Sequence, residues 1–355
     1  MKLLICAPDI FSGDAVGNHC LGLARVAQRL GLDAELYAQR HDVGTLDIHS
    51  IEDVFTDANN EDVVVLSYSI FDPFLEKLLE LDQKKVCYFH GVTDPQLLRE
   101  FEPRTATFCE MALEQLPLLT RFDVVIANSQ NTAESLSDVL NVATVKIIPP
   151  VFADMPVFRY KPSSAEVTPR VPNLLMVGRV VPHKRIEDAI QILALLQQRE
   201  FRATLTIVGN APNYDYLKFL INHARSLGVL ELVDFKGMLD DAGLFECYST
   251  TSGLLAMSRH EGFCVPVLET MHFGKPVFVR GGTAAQELCA PSSVFEVDAS
   301  LDTWAAAIAA RLSKIADTQS GSARVEMNRA HEILRRTDAQ VWESVFGTTS
   351  GTGEL

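Results

Sequence analysis

The chain has no C-x-x-C pair, no Asp-x-Asp and no apolar run of membrane-spanning length. Each absence removes a class of function. Seven cysteines (Cys6, Cys20, Cys87, Cys109, Cys247, Cys264 and Cys289) are scattered, which suits neither a disulfide framework nor a zinc site and points to a reducing compartment. With no His/Cys cluster at ligand spacing either, no metal and no cofactor are expected. The opening run Leu3 to Ala7 stops at Pro8 and Asp9. It reads as a buried strand, too short for a secretory signal or a membrane span. Positive charge is also scarce, with 31 Lys and Arg against 46 Asp and Glu and a net charge of −15. That balance speaks against nonspecific nucleic-acid binding, which depends on neutralising phosphates. It also weakens polybasic attachment to anionic lipid. The expected setting is the cytoplasm, with no more than weak peripheral contact at the inner face of the membrane.

Apolar residues are plentiful: 47% against 22% charged over 355 residues, enough for two cored domains. Short apolar runs alternate with helical patterns, the signature of parallel α/β layers. The first half offers strands at Leu3–Ala7, Ala34–Tyr37, Val63–Ser67, Val86–Phe89, Val124–Ala127 and Val145–Ile148, with a helix from Val16 to Leu30. A mixed helical stretch runs from Pro95 to Leu119. The rhythm restarts with strands at Leu174–Val177, Thr204–Val208, Val233–Lys236, Leu254–Met257, Val277–Val279 and Val294–Val297. Prolines crowd the stretch between the halves. The expected fold class is therefore α/β, with domains at 1–150 and 173–336 and a linker at 151–172. A terminal helix is expected at 337–346 and a frayed tail at 347–355.

The most informative stretch is Arg259-His260-Glu261-Gly262-Phe263-Cys264-Val265-Pro266-Val267-Leu268-Glu269. A buried strand leads into a tight loop carrying Glu261, and a helix starts near Pro266 because proline suits the first helical turn. Glu269 is expected in the opening turn of that helix. The amides of Gly262, Phe263, Cys264 and Val265 then sit at a helix N-terminus, a ready anion site. A carboxylate on each side of an anion site suits a ligand with hydroxyls at both ends and phosphates in the middle. A sugar nucleotide is such a ligand.

These residues resemble the glutamate pair, separated by seven residues, of the retaining glycosyltransferases of family 4. Further matches run in the family's order: Gly13-Asp14-Ala15-Val16-Gly17, Phe89-His90-Gly91, Ala127-Asn128-Ser129, Val177-Gly178-Arg179, Pro182-x-Lys184 and Asp188-Ala189-Ile190. The resemblance implies the GT-B architecture, two Rossmann-like α/β/α domains facing each other across a cleft, with the terminal helix crossing back through Trp342 and Phe346. It implies transfer of a hexose from a nucleoside-diphosphate sugar to a saccharide or glycolipid acceptor, in bacterial surface polysaccharide or lipopolysaccharide assembly. A sugar-nucleotide epimerase and a non-catalytic nucleotide-sugar-binding partner are the alternatives on the same scaffold.

The resemblance also implies roles. Arg179 and Lys184 face the diphosphate, Glu269 the ribose, and Glu261 and His90 the donor sugar. Gly13 and Gly17 approach the donor from the first domain, and the helix-start amides complete the site. Gly209 and Lys236-Gly237-Met238-Leu239 frame the nucleobase. By spacing alone the blander reading leads for Arg179 and Lys184 as surface cations, for Glu269 as helix-dipole complementation and for His90 as a capping or core histidine, and Glu261 also reads as a water-facing loop carboxylate. Asn128-Ser129 reads best as a helix cap.

Overall fold

The computed structural model describes residues 1–11, 13–42, 47–152, 155–161, 171–317, 321–337 and 339–346. Ser12, much of the expected linker and the expected tail lie outside the described residues. The chain divides into two compact units, the first Met1–Thr93, Thr107–Asp154 and Ile333–Leu355, the second Asp94–Ala106 and Met155–Glu332.

The first unit holds a seven-stranded, all-parallel sheet of order β3-β2-β1-β4-β5-β6-β7. Its strands are β1 (Lys2–Ile10), β2 (Asp33–His41), β3 (Ile48–Ser50), β4 (Val63–Tyr68), β5 (Lys84–Phe89), β6 (Val124–Ala127) and β7 (Lys146–Ile147). Its helices are α1 (Ala15–Arg29), α2 (Val54–Asp57), α3 (Leu75–Leu79), α4 (Pro103–Gln115, which starts in the second unit) and α5 (Gln130–Glu134). The strands bury both faces, so alternate residues feed two cores. Leu4, Cys6, Val64 and Leu66 enter one core, whereas Leu3, Ile5, Val63 and Val65 enter the other with Cys20, Leu23 and Ala27 of α1.

The second unit holds a six-stranded parallel sheet of order β10-β9-β8-β11-β12-β13. Its strands are β8 (Asn173–Val177), β9 (Thr204–Val208), β10 (Val233–Gly237), β11 (Gly253–Ala256), β12 (Val277–Arg280) and β13 (Val294–Phe295). The helices are α6 (Pro156–Arg159), α7 (Ile186–Gln198), α8 (Tyr214–Ser226), α9 (Asp241–Thr250), α10 (Val265–His272), α11 (Ala285–Leu288), α12 (Leu301–Asp317) and α13 (Gly321–Arg335, which ends in the first unit). The last helix, α14 (Ala339–Phe346), belongs to the first unit: Trp342, Val345 and Phe346 enter its core, and Lys84 Nζ donates to the Val345 carbonyl at 2.7 Å. In both sheets the strand order reverses beside the first strand of the unit. In open α/β sheets, ligands bind outside the carboxyl ends of the strands at such a switch point.

Three expectations are corrected. Asp94–Ala106 groups with the second unit although it lies within 1–150. The Phe101 ring packs on Tyr216 and Phe219 of α8 at 5.0 and 5.6 Å, and Asn213 Nδ2 donates to the Phe101 carbonyl. Residues 155–161 also belong to the second unit rather than to a linker. Tyr160 stacks on Phe273 at 5.5 Å, and its carbonyl lies 2.9 Å from His272 Nε2. The Pro95–Leu119 stretch is broken into a 3-10 turn at Pro95–Leu97, α4, and a second 3-10 turn at Leu116–Arg121, because Pro103 and Pro117 cannot sit inside a continuous helix.

Candidate active site

The carboxyl edge of the second sheet, at its switch point, carries a cavity lined by residues from several elements, Gly178, Arg179, Lys184, Ser258, Glu261 and Cys264 among them. Glycine makes room there. Gly178 and Gly209 follow β8 and β9 with φ of 138° and 144°, and Gly237 ends β10 with φ of 68°. A Cβ on Gly209 would stand 1.9 Å from the Gly178 carbonyl oxygen. The neighbouring strand ends thus meet backbone to backbone, linked by Gly209 N–H to the Gly237 carbonyl at 2.8 Å.

Lys184 ends a 3-10 turn, Pro182–Lys184, and Arg185 follows in the left-handed region at φ 54° before α7 begins. Lys184 pairs with Glu261, with Nζ to Oε1 at 2.6 Å and side chains only 19% and 10% exposed. Ser258 Oγ donates to the same oxygen at 2.6 Å. Burial pushes the Glu261 carboxyl up, but Lys184 and then Ser258 outweigh it and hold it below the usual carboxylate range. Burial likewise works against charge on Lys184, and Glu261 overcomes it, raising the ammonium above its ordinary value. Glu261 is therefore an ionised carboxylate in a half-closed site, not a water-facing loop residue.

Arg179 is exposed at the end of β8, beyond Gly178. Its charge reaches Glu102, His183 and Lys184. Cys264 caps α10 in the left-handed region at φ 75°, a conformation that disfavours any side chain. Phe263 and Cys264 are buried and Gly262 and Val265 half-buried, so the loop folds tightly onto the helix start.

Glu269 is the fifth residue of α10 rather than part of its opening turn, and it is 4% exposed. Complementing the helix dipole is therefore not its role. Its Oε2 accepts from the Tyr248 hydroxyl of α9. Burial pushes its carboxyl up to about 7.

The first unit's candidates form a separate set. His90 follows β5, and its Nε2 lies 2.7 Å from Ser67 Oγ. Its ring meets Tyr88 edge-on at 4.8 Å. Burial lowers the His90 pKa to about 3, so the imidazole is neutral. Gly13 has φ 83° just ahead of α1, and its N–H donates to Asn18 Oδ1 at 3.2 Å. Gly17 lies inside α1, not in the loop; a Cβ there would stand 2.1 Å from the Phe11 carbonyl oxygen. Packing within the unit already requires that glycine. Ser129 caps α5, accepting from Thr132 N at 3.0 Å. Among the described residues, no group of three or more His, Cys, Asp or Glu is placed to hold a metal ion. None of the helices there is long and apolar enough to cross a membrane.

Sequence reasoning missed Ser258, Tyr248, Ser67 and Arg280, the buried partner of Asp188. Arg280 Nη2 donates to Asp188 at 2.7 Å, and Arg280 Nε to the Met257 carbonyl at 2.8 Å, which ties the start of α7 to the loop after β11. Ser258 is local to Glu261 and visible in principle. The others lie 21 to 92 residues from their partners, so no spacing rule reaches them.

The fold is GT-B, two Rossmann-like α/β/α domains. The solved Anabaena HepE in complex with UDP matches with a TM-score of 0.71 and 19% identity, over 98% of this chain and 100% of that one. WaaG, a glycosyltransferase involved in lipopolysaccharide biosynthesis, matches with a TM-score of 0.68 and 14% identity, over 98% and 100%. At such identities the likeness carries the fold alone. In sequence, residues 163–317 match the family model described as Glycosyl transferases group 1. A glycogen synthase of Mycobacterium tuberculosis is 28% identical over 189 residues, 50% of this chain and 41% of that protein. The serotype-specific mannosyltransferase WbdA of Escherichia coli is 26% identical over 215 residues, 58% of this chain and 26% of that protein. The chain thus spans well under half the length of these curated relatives.

Proposed function

We propose that this chain is a retaining, metal-independent glycosyltransferase that moves a hexose from a nucleoside-diphosphate sugar to a saccharide or glycolipid acceptor. The setting is the cytoplasm or the inner face of the membrane, in assembly of a bacterial surface polysaccharide or lipopolysaccharide. The observation that carries the reading is the meeting of Arg179, Lys184 and Glu261 around one cavity at the switch point of the second sheet. The group 1 match over the same half of the chain supports it. So do HepE, solved with UDP and with UDP-glucose, and the mannosyltransferase WbdA.

When the bond from the anomeric carbon to the diphosphate breaks, negative charge gathers on the leaving group. Catalysis then needs fixed positive potential at that place. Arg179 and Lys184 supply it, helped by the amides at the start of α10. The incoming diphosphate draws Lys184 from Glu261, whose carboxylate turns to the sugar hydroxyls. Glu269 accepts from the ribose. The departing phosphate takes the acceptor's proton, so no protein base is required, and neutral His90 acts as a hydrogen-bonding, positioning group.

The test is incubation with UDP- and GDP-hexoses and saccharide or glycolipid acceptors in EDTA. The proton NMR coupling at the new anomeric centre is read soon after mixing. A product of retained configuration is expected. Arg179→Ala should lower kcat by roughly 10²- to 10³-fold, the scale of losing one preorganised electrostatic contact. An inverted product, conversion of the donor without acceptor, binding without turnover, or loss of activity in EDTA restored by Mg²⁺ would each overturn the corresponding part.

A further inference from the structure

We infer that Tyr248 is a positioning residue of the nucleotide site, holding Glu269 as the hydrogen-bond acceptor for the ribose and coupling nucleotide binding to release of a proton. The inference rests on the reading of Glu269 given above. Tyr248 is fully buried on α9, stacked on Phe273 at 5.5 Å. Its hydroxyl donates to Oε2 of Glu269, itself 4% exposed on the neighbouring helix. A buried carboxylate held by one hydroxyl is under-satisfied, because it has room for further donors. Ribose hydroxyls are such donors, and they favour the ionised form that accepts them.

Few other charges reach this carboxyl. Asp241, also on α9, repels it at longer range. Around α10, β11 brings no titratable side chain, and Arg280 of β12 is bound to Asp188. Arg159 of α6 and Glu287 of α11 are exposed, and His272 of α10 lies against the Tyr160 carbonyl. Burial thus leaves the nucleotide-free carboxyl near 7, half protonated at neutral pH. The complex takes the ionised form. Binding therefore releases a proton, and affinity rises as pH climbs from about 6 to 8 and then levels.

The experiment is titration calorimetry of the full chain with UDP and with GDP, from pH 6 to 9, in two buffers of different ionisation heat. Wild type should release a fraction of a proton near pH 7, and a protein that releases none would overturn the coupling. Tyr248→Phe keeps the ring and removes the hydroxyl that lowers the Glu269 pKa. It should bind the nucleotide about tenfold more weakly at pH 7, the effect of losing one hydrogen bond to a charged group. Part of that affinity should return by pH 9, as the shifted carboxyl ionises. Wild-type affinity and pH profile in Tyr248→Phe, or an equal loss at every pH, would sink the positioning role. Glu269→Gln separates the two readings. If it binds nucleotide as wild type does and with the same pH profile, the ribose assignment itself fails; if it alone loses affinity, only the role of Tyr248 does.

Discussion

Replacing Lys184 with methionine should expose how much of the second domain's stability rests on one buried ion pair. Methionine keeps the length and apolar stem of the side chain. It leaves the Glu261 carboxylate, 10% exposed, with Ser258 as its nearest donor. Removing one partner of a buried pair destabilises by about 3 kcal/mol or somewhat more, because the remaining charge is left uncompensated. In a domain of this size, each kcal/mol lowers Tm by about 2 to 4 °C, so a fall of roughly 6 to 12 °C is expected. Glu261→Gln should likewise cost about 3 kcal/mol, since it strands the ammonium instead. The double variant should lose less than either single change, because neutral groups of similar shape replace the pair.

The chain supplies its own probe. Of its two tryptophans, Trp304 is buried in the core of the second unit and Trp342 in that of the first. A Trp342→Phe background leaves Trp304 fluorescence to follow the second domain alone, which matters because two domains need not unfold together. Acid supplies a check of sign. A depressed Glu261 pKa contributes stability above its unfolded value, lost as pH falls through the folded one. The wild type should therefore lose its advantage over Lys184→Met in acid. If the double variant loses the sum of the two single losses, the two groups do not interact in solution, and the pair at the heart of the site is absent.

Other outcomes follow from the same geometry. Glu269→Gln should stabilise the nucleotide-free second domain at pH 8 by about 3 kcal/mol in denaturant titrations, because a raised carboxyl pKa costs stability progressively from the unfolded value up to the folded value of about 7 and fully above it. No gain at pH 8 over pH 4 would refute the assigned environment. At Cys264, held at φ 75°, Cys264→Val should be about 2 kcal/mol less stable than Cys264→Gly, since a branched side chain is strained in the left-handed region. Equal melting points would mean that the loop conformation differs. His90, with its pKa lowered to about 3 by burial, should show no NMR titration between pH 5 and 8. A midpoint near 6.5 would place the ring in water.

The α/β class, the restart of the strand pattern after the prolines and the order of most elements were legible in the sequence. Alternation and run length are local properties of a parallel sheet buried on both faces. β3 escaped notice because three residues at a sheet edge carry no period. The cluster at Glu261 was legible because its loop, proline and helix start are contiguous.

Other features needed the tertiary structure. Spacing could not tell that Lys184 meets a carboxylate of the protein, since 77 residues separate the pair. Nor could it tell that the Phe11 backbone by itself requires Gly17, or that Phe101 carries part of the first half onto α8. Periodicity records which face of an element is apolar. Which charges become neighbours once those faces are buried depends on the strand order, and that order is decided only when the sheets assemble.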